Sequence, residues 1–300
     1  MNSPSQEANL LNESIGLISR VGVVGCGLMG SGIVEVCARA ELDVVVVESS
    51  AGSAATARAQ LERSLSRAEE RGKIVDAAEV LGRITVSTNL DDLADRHIIV
   101  EAIAEDEQAK VELFTLLDKI VAAPDALLAS NTSSIPIMKL GVATGRPEQV
   151  IGIHFFNPVP VLPLVELVPS LLTSNQTRDR AQQFVEVALG KHAITSQDRA
   201  GFIVNSLLIP FVLSAIRMLE SGFATAEDID QGLVLGAAHP QGPLALADLI
   251  GLDTTKAVAE SLYEEFKEPL YAPPPMLSRM VEAGLLGRKA GRGFYDYKKA

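Results

Sequence analysis

The feature that most constrains this chain is a glycine-rich turn between a short apolar strand and a helical stretch. The strand is predicted at Val21 to Val24, and Gly25-Cys26-Gly27-Leu28-Met29-Gly30 follows it directly. The first glycine makes the tight turn, the second lets the backbone approach a pyrophosphate, and the third allows the helix to pack closely on the strand. Unpaired N–H groups at the start of the helix favour the negative charge of the pyrophosphate. The turn therefore predicts a dinucleotide-binding unit.

A second predicted strand, Asp43 to Val47, ends at an acidic residue. Glu48 stands 18 residues after Gly30. An acid at this place accepts hydrogen bonds from the adenosine ribose hydroxyls and repels a 2′-phosphate. The alternative is a solvated residue at a strand end. We predict NAD rather than NADP as the cofactor.

The rest of the first half alternates strands with helices. Further strands are predicted at Ile84 to Ser87, Ile98 to Glu101, Leu127 to Ser130, Val150 to Phe155, Leu164 to Val168 and Ala193 to Ser196. This alternation predicts an α/β fold, a Rossmann-type doubly wound and mostly parallel sheet, over residues 19–198. Ligands of such sheets bind at the carboxyl ends of the strands. Four polar residues lie near or after the ends of predicted strands and are expected on that rim: Glu105, Lys110, Ser133 and His154.

A proline-rich connection separates His154 from Glu166. Pro158, Pro160 and Pro163 each fix φ and remove a backbone donor, so the segment is predicted to be a bend between two short strands. If it folds back, the two side chains meet. A carboxylate on one imidazole nitrogen fixes the tautomer and leaves the other nitrogen to act as a base. The alternative is a structural histidine at a strand end.

A predicted helix from Ser53 to Lys73 carries a basic face. At 100° per residue one arc of about 100° collects three arginines and a serine, namely Arg63, Ser64, Arg67 and Arg71. Such a row can hold a phosphorylated ligand. Three glutamates on the same helix favour the alternative, a solvated charged face.

Strand signals stop after residue 198, and residues 199–300 are predicted to form a second, all-α domain. Its first helix, Ala200 to Glu220, is apolar nearly all round, which predicts burial within the domain or against another subunit. Pro210 is expected to kink this helix. Asn205 is its conspicuous early polar residue, placed either for a local bond or as a donor to a ligand cleft.

Composition excludes several other classes of protein. Of the 300 residues 47% are hydrophobic and 21% are charged, and the net charge of −12 argues against a nucleic-acid binder. Cys26 and Cys37 lack the spacing of a zinc site or a disulfide framework, so we expect no metal and a cytoplasmic location. Residues 1–18 are predicted to be a flexible tail without a secretory signal. The apolar run Gly201 to Leu219 is too interrupted to span a membrane.

Several motifs occur together and in a fixed order along the chain. Besides the glycine turn they are Glu101-Ala102-Ile103-Ala104-Glu105, Ser130-Asn131-Thr132-Ser133-Ser134, His154-Phe155-Phe156-Asn157-Pro158 and Gly201-Phe202-Ile203-Val204-Asn205. With them the chain strongly resembles the L-3-hydroxyacyl-CoA dehydrogenases over about residues 19–297. Its length, without a hydratase domain, is similar to that of the bacterial 3-hydroxybutyryl-CoA dehydrogenases, especially the actinobacterial kind.

The resemblance implies a role for each matching residue. His154 is expected to be the acid/base, Glu166 its orienting partner, and Ser133 and Asn205 the groups that contact the substrate oxygens. The NAD site is expected to comprise Gly25, Gly27, Leu28, Met29, Gly30, Glu48, Glu105, Lys110, Asn157 and Lys289. The implied substrate is a 3-hydroxyacyl-CoA, the implied setting is fatty acid or butyrate metabolism, and the implied assembly is a homodimer.

Coenzyme A contacts are implied for Ser64 and Arg71. Two positions depart from the pattern of the family. Arg71 occupies a position where other members of the family commonly have lysine, and an arginine still supports a phosphate contact. Gln241 replaces the commoner methionine of the His-Pro-x-Gly-Pro turn.

Two other functions stay open at this point. One is a dehydrogenase of the same architecture that acts on a free hydroxy acid, because fold alone does not identify a substrate. The other is an NAD-binding structural or regulatory protein without turnover. The arginine row favours a coenzyme A substrate, and the set Ser133, His154, Glu166 and Asn205 favours an enzyme.

Overall fold

The computed structural model describes residues 18–297, which form two compact units that meet in the sequence between Asp198 and Arg199. The first unit contains eight strands, β1 Arg20–Val24, β2 Asp43–Val47, β3 Ile84–Ser87, β4 Ile98–Glu101, β5 Leu127–Ser130, β6 Val150–Phe155, β7 Leu164–Pro169 and β8 His192–Thr195. Its helices are α1 Leu28–Arg39, α2 Ala51–Glu70, α3 Ala77–Gly82, α4 Glu107–Ile120, α5 Ile137–Val142 and α6 Asn175–Gln183, the last continued by a π-helical turn, Phe184–Ala188.

The strands form one sheet in the order β3-β2-β1-β4-β5-β6-β7-β8. Every neighbouring pair is parallel except β6 and β7, which are antiparallel. The chain winds outward from β1 in both directions, so the strand order switches direction between β1 and β4. Ligands of doubly wound sheets bind at such a switch point. The predicted doubly wound, mostly parallel sheet is confirmed.

The central strands are continuous apolar runs because helices cover both faces of the sheet. Val21, Val44 and Ile98 are fully buried in one hydrophobic core. Cys26 and Cys37 pack in the same core, and burial raises the pKa of each thiol to about 12. The two cysteines are therefore packing residues and not reactive thiols.

Two short helices, α3 and α5, were absent from the predicted pattern. Each has six residues, too few for a clear helical period. The Asp76 side chain caps α3 by accepting from the N–H groups of Ala78 and Glu79. Helix α5 has no side-chain cap from its own segment; instead the Asp198 carboxylate accepts from the N–H groups of its first two residues at 2.7 and 2.8 Å.

The second unit is helical, as predicted. Its helices are α7 Val204–Glu220, α8 Ala226–Ala237, α9 Pro243–Ile250, α10 Leu252–Phe266 and α11 Pro275–Glu282. Asp230 of α8 accepts from the N–H groups of Leu244 and Ala245 and so caps α9. Asp248 accepts from the N–H groups of Phe294 and Tyr295, which fixes the last described segment on this unit.

Helix α7 is buried within its own unit on one side only. Ile209, Val212 and Leu213 are buried in the helical core, whereas Leu207 is 72% exposed and Met218 is 42% exposed. One side of this apolar helix therefore faces outward within the single chain. The helix continues without interruption through Pro210.

The predicted tail lies outside the described residues except for its last member. Ile18 is buried in the core of the first unit, so this last residue of the predicted tail belongs to the folded part. Within residues 18–297 no helix combines the length and apolar character needed to cross a bilayer.

Candidate active site

The antiparallel pairing of β6 with β7 places His154 directly opposite Glu166. Their side chains touch, with imidazole Nδ1 2.8 Å from carboxylate Oε2. Directly opposed residues of two antiparallel strands have neighbouring Cβ atoms on one face of the sheet. The contact therefore follows from strand register, once the proline-rich connection turns the chain back. The meeting predicted from the sequence is present.

The surroundings of this pair are closed. His154 is 6% exposed and Glu166 is fully buried. The Phe156 ring contacts the imidazole edge-on, with ring centroids 4.7 Å apart. Because Glu166 holds Nδ1, Nε2 is the imidazole nitrogen that a substrate would meet. This arrangement suits an acid/base that exchanges one proton.

The turn Thr132–Ser134 follows β5 beside the histidine strand and is held by one carboxylate. Glu105 Oε1 accepts from the Thr132 hydroxyl at 2.5 Å, the Ser133 N–H at 3.1 Å and the Ser134 hydroxyl at 2.9 Å. Asn131, just before the turn, accepts from the Phe155 N–H at 2.9 Å. The turn that carries Ser133 is thus tied to the strand that carries His154.

A buried lysine stands behind Glu105. Lys110 Nζ lies 3.0 Å from Glu105 Oε2 and 2.7 Å from Glu101 Oε1, and its residue is 1% exposed. Burial alone would raise the pKa of Glu105, but the Lys110 charge, together with hydrogen bonds from Thr132, Lys110 and Ser134, holds it below its usual value. Glu105 is therefore a carboxylate acceptor at neutral pH. The predicted Glu105, Lys110 and Ser133 lie together on the sheet rim.

The glycine turn has the shape that a dinucleotide requires. Gly25 has φ of +88°, and a Cβ there would come within 2.8 Å of the Ala102 carbonyl oxygen. A Cβ on Gly30 would collide with the Gly25 carbonyl oxygen, whereas a Cβ on Gly27 would meet nothing within 4 Å. Gly27 therefore borders the space into which a pyrophosphate fits, beside Leu28 and Met29 at the start of α1.

Glu48 follows β2 at the same edge of the sheet. Its Oε1 accepts a hydrogen bond from the Cys26 N–H inside the glycine turn. The carboxylate is half-buried beside the turn. This is the place from which an acid reaches ribose hydroxyls. The glycines and Glu48 together fit NAD.

Helix α2 and the residue that follows it, Arg71, carry the predicted basic row. Arg63, Arg67 and Arg71 are exposed, while Leu61 and Leu65 are buried below them. The Ser64 hydroxyl donates to Glu35 Oε2 at 2.6 Å, and Arg39 Nε is 3.3 Å from Glu35 Oε1. The hydroxyl hydrogen of Ser64 is therefore engaged, and toward a ligand this oxygen offers an acceptor.

Sequence reasoning missed Glu35 and Glu101. Glu35 is a lone acid within the buried run Ile33 to Ala38, which was the available signal, because a buried carboxylate needs partners. Glu101 ends the buried strand β4 and appears in the Glu101 to Glu105 motif, yet its contacts depend on tertiary packing. Both residues support neighbours that the sequence had singled out.

Three further predicted residues each have surroundings of their own. Asn157 is exposed and precedes Pro158 through a cis peptide bond. In the second unit, Asn205 is half-buried in the first turn of α7. Lys289 Nζ is 2.6 Å from the Asp253 carboxylate; desolvation opposes ionisation of Asp253, but the lysine hydrogen bond and charge keep its pKa low.

A glycine turn at the switch point of a doubly wound sheet, with a buried imidazole–carboxylate pair on the same sheet, defines an NAD-dependent dehydrogenase. The family comparisons give the same class in two matched segments. The family described as 3-hydroxyacyl-CoA dehydrogenase, NAD binding domain, matches residues 20–199. The family described as 3-hydroxyacyl-CoA dehydrogenase, C-terminal domain, matches residues 201–297. The chain belongs to the 3-hydroxyacyl-CoA dehydrogenase family and is an NAD-dependent oxidoreductase.

Individual relatives cover nearly the whole chain. The 3-hydroxybutyryl-CoA dehydrogenase of Mycobacterium tuberculosis is 55% identical over 282 residues, which are 93% of this chain and 99% of the relative. The crystal structure of M. tuberculosis FadB2 superposes with a TM-score of 0.93 at 55% identity, covering 94% and 99% of the two chains. The (S)-3-hydroxybutyryl-CoA dehydrogenase PaaH1 of Ralstonia eutropha gives a TM-score of 0.88 at 46% identity, with 94% and 100% covered. The predicted resemblance to the actinobacterial kind is confirmed.

Proposed function

We propose that the protein catalyses reversible hydride transfer between C3 of a (S)-3-hydroxyacyl-CoA, of the 3-hydroxybutyryl-CoA type, and NAD. The observation that carries the proposal is the 2.8 Å contact between His154 Nδ1 and Glu166 Oε2 on the rim of the NAD-binding sheet. The relatives at 46% and 55% identity named above, both 3-hydroxybutyryl-CoA dehydrogenases, support the substrate class.

The proton chemistry belongs to His154. When bound, the nicotinamide supplies hydride exchange with C3 of the substrate. In the oxidation direction His154 Nε2 takes the proton of the 3-hydroxyl group, and in the reverse direction the imidazolium returns it to the ketone oxygen. Glu166 stabilises that imidazolium and keeps Nδ1 protonated in the neutral ring. A buried pair needs little rearrangement at the moment of reaction.

The oxygens of the substrate are assigned to Ser133 and Asn205. Ser133 is supported by its place on a turn that Glu105 holds beside the histidine strand. Asn205 is proposed on family membership alone. The NAD site is proposed to comprise the glycine turn, Glu48, Glu105 and Lys110, with Asn157 and Lys289 added on the same family basis.

Coenzyme A is proposed to lie along α2. The exposed guanidinium of Arg71 is suited to a phosphate group. Ser64 donates to Glu35, so we assign to its oxygen a ligand N–H group and leave the phosphates to the arginine row. The row explains why a coenzyme A thioester, and not a free hydroxy acid, is the proposed substrate.

The proposal includes a cytoplasmic homodimer in fatty acid or butyrate metabolism, without nucleic-acid or membrane partners. The exposed apolar side chains of α7, Leu207 and Met218, favour a subunit contact on the helical unit. Size-exclusion chromatography with light scattering tests this part. A monomer at micromolar concentration would contradict it.

The test of function is an assay of NADH oxidation, followed by the absorbance of NADH at about 340 nm. The substrates are acetoacetyl-CoA, free acetoacetate and longer 3-oxoacyl-CoA thioesters. We expect turnover with the thioesters and little with the free acid. NADPH in place of NADH should give a much lower kcat/KM, because Glu48 repels a 2′-phosphate. Equal rates with free acetoacetate would favour a free hydroxy-acid dehydrogenase, and no turnover would favour a binding protein.

A further inference from the structure

Glu101, the last residue of β4, is a buried carboxylate that the proposed mechanism does not use. It is fully buried, and in the sheet it is paired in register with Ser130, the last residue of β5. A buried charge persists in a folded protein only when it is paired and hydrogen-bonded. The partners of Glu101 therefore indicate what it supports.

Both oxygens of Glu101 are engaged by neighbours on the sheet rim. Oε1 accepts from Lys110 Nζ at 2.7 Å and from the Ile103 N–H at 2.8 Å. Oε2 accepts from the Ser130 hydroxyl at 2.6 Å. The carboxylate thus joins the ends of β4 and β5 to the first turn of α4.

Lys110 extends this contact toward Ser133. Its ammonium also lies 3.0 Å from Glu105 Oε2, while Glu105 Oε1 takes the three hydrogen bonds from the turn Thr132–Ser134. A chain of ion pairs and hydrogen bonds therefore runs without a gap from Glu101 to the turn.

Ser130 gives a second, shorter route to the same turn. Its hydroxyl donates to Glu101, and its oxygen accepts from the Thr132 N–H at 3.2 Å. Thr132 Oγ1 in turn accepts from the N–H groups of Ser134 and Ile135 at 3.2 and 2.9 Å. Both routes converge on the residues on either side of Ser133.

We propose that Glu101 is a positioning residue: through Lys110 and Ser130 it fixes the turn that presents Ser133 to the substrate. The inference deepens the proposed function and rests on it for the role of Ser133. Lys110 then acts on the site through Glu105, which agrees with its 1% exposure. A small displacement of a substrate-positioning group lowers turnover strongly.

The test compares Glu101→Gln with Lys139→Met. The glutamine keeps the shape of Glu101 but removes the charge that holds Lys110. Lys139 forms an exposed ion pair with Glu107 at 2.7 Å, which also links the segment after the turn to α4 but touches none of the Glu101 partners. Lys139→Met therefore controls for the loss of an ion pair in the same region.

The first measurement is backbone hydrogen exchange of residues 131–135 in the purified protein. We expect exchange in this segment to be at least about tenfold faster in Glu101→Gln than in wild type, because local opening becomes easier. Lys139→Met should match wild type. Unchanged exchange in Glu101→Gln would overturn the proposal, whatever the substrate of the enzyme.

The second measurement is turnover with acetoacetyl-CoA. Glu101→Gln should lower kcat/KM by about ten- to hundredfold. In a double-mutant cycle, the variant with both Glu101→Gln and Ser133→Ala should have a kcat/KM little below that of Ser133→Ala alone. Both changes act through the Ser133 side chain, so their effects should not add. Additive losses would overturn the proposal.

If Glu101→Gln does not fold, Ser130→Ala gives the same test with a smaller change, because it removes one route and keeps the ion pairs. It should speed exchange of the turn and lower kcat/KM in the same sense. Failure of the proposed function has a different signature, since wild type itself would then fail to reduce acetoacetyl-CoA. Normal wild-type turnover with unchanged exchange in the variant that folds would overturn the role of Glu101 alone.

Discussion

The charged groups of the His154–Glu166 pair and those of the arginine row on α2 differ in burial and in how firmly they are held in place. The pair is buried, and two hydrogen-bonded strands set its geometry. The arginines are exposed on one helix face and are carried by long side chains. Exposed charges are screened by salt beyond roughly 8–10 Å, whereas buried pairs are screened much less.

This difference assigns the two regions to different steps, the chemical reaction and the binding of the substrate. A pair fixed by strand register keeps its geometry in the free enzyme, so its loss should lower kcat. A row of flexible cations attracts an anionic ligand without a fixed geometry, so its loss should raise KM in a salt-dependent manner. Substitutions in the two regions should therefore affect different kinetic constants.

The largest expected effect is that of His154→Gln, which removes the acid/base. We expect kcat for acetoacetyl-CoA reduction to fall by about 10²–10⁴-fold, while the Kd for NADH, measured by fluorescence titration, stays close to that of wild type. His192→Gln, at the exposed start of β8, is the matched control. A kcat near that of wild type would remove His154 from the mechanism.

Glu166→Gln should cost less, because the imidazole remains but loses its charged partner. Loss of one hydrogen bond to a charged group, about 1.5–3 kcal/mol, corresponds to roughly ten- to hundredfold in kcat. The pH profile of kcat should also change. Glu148→Gln, at an exposed site, serves as the control. An unchanged rate together with an unchanged pH profile would mean that the pair has no part in catalysis.

Lys110→Met tests a buried charge that is not in the pair itself. Lys110 lowers the pKa of Glu105, so ionised Glu105 holds the turn Thr132–Ser134 at neutral pH and releases it as pH falls through that pKa. Without the lysine charge the release should occur at higher pH. The acid limb of the pH profile of kcat/KM should therefore move to higher pH in Lys110→Met. An acid limb at the same pH as in wild type would contradict the effect of Lys110 on Glu105.

The smallest effect is expected in the arginine row. Arg71→Ala should raise KM for acetoacetyl-CoA by about two- to fivefold at low salt, in line with an exposed ion pair of up to about 1 kcal/mol, and leave kcat unchanged. The difference should shrink in high salt. Arg58→Ala lies on the opposite side of α2, where Arg58 pairs with Glu62, and controls for loss of a positive charge. Equal effects of the two variants would contradict a specific row.

The sheet was predictable because its strands are short apolar runs bounded by turns and helices. All eight strands were predicted within one residue at each end, and the order of the polar rim residues followed from them. Helix α5 escaped prediction because its start depends on Asp198, which is 61 residues from Ile137 along the chain. Long-range capping leaves no local pattern.

In the candidate site, too, contacts set by local sequence patterns were predictable and long-range contacts were not. The His154–Glu166 contact was predictable because prolines force the chain back on itself. The partners of Ser64 and of Glu105 were not, since Glu35 lies 29 residues from Ser64 and Thr132 lies 27 residues from Glu105. Side chains brought together by packing need the fold before they can be paired. For α7 the sequence left burial within the domain and burial against another subunit open, because periodicity does not tell which apolar residues a single chain leaves exposed.

The most direct test of the central claim is the tautomer of His154, read by ¹⁵N NMR of protein labelled in its histidine rings. The register of β6 with β7 gives Glu166 the Nδ1–H, so the neutral ring should show Nδ1 protonated and Nε2 unprotonated. The signal is assigned by its loss in His154→Gln. A neutral ring protonated at Nε2 would contradict the account, because that nitrogen would then have no capacity to accept the substrate proton.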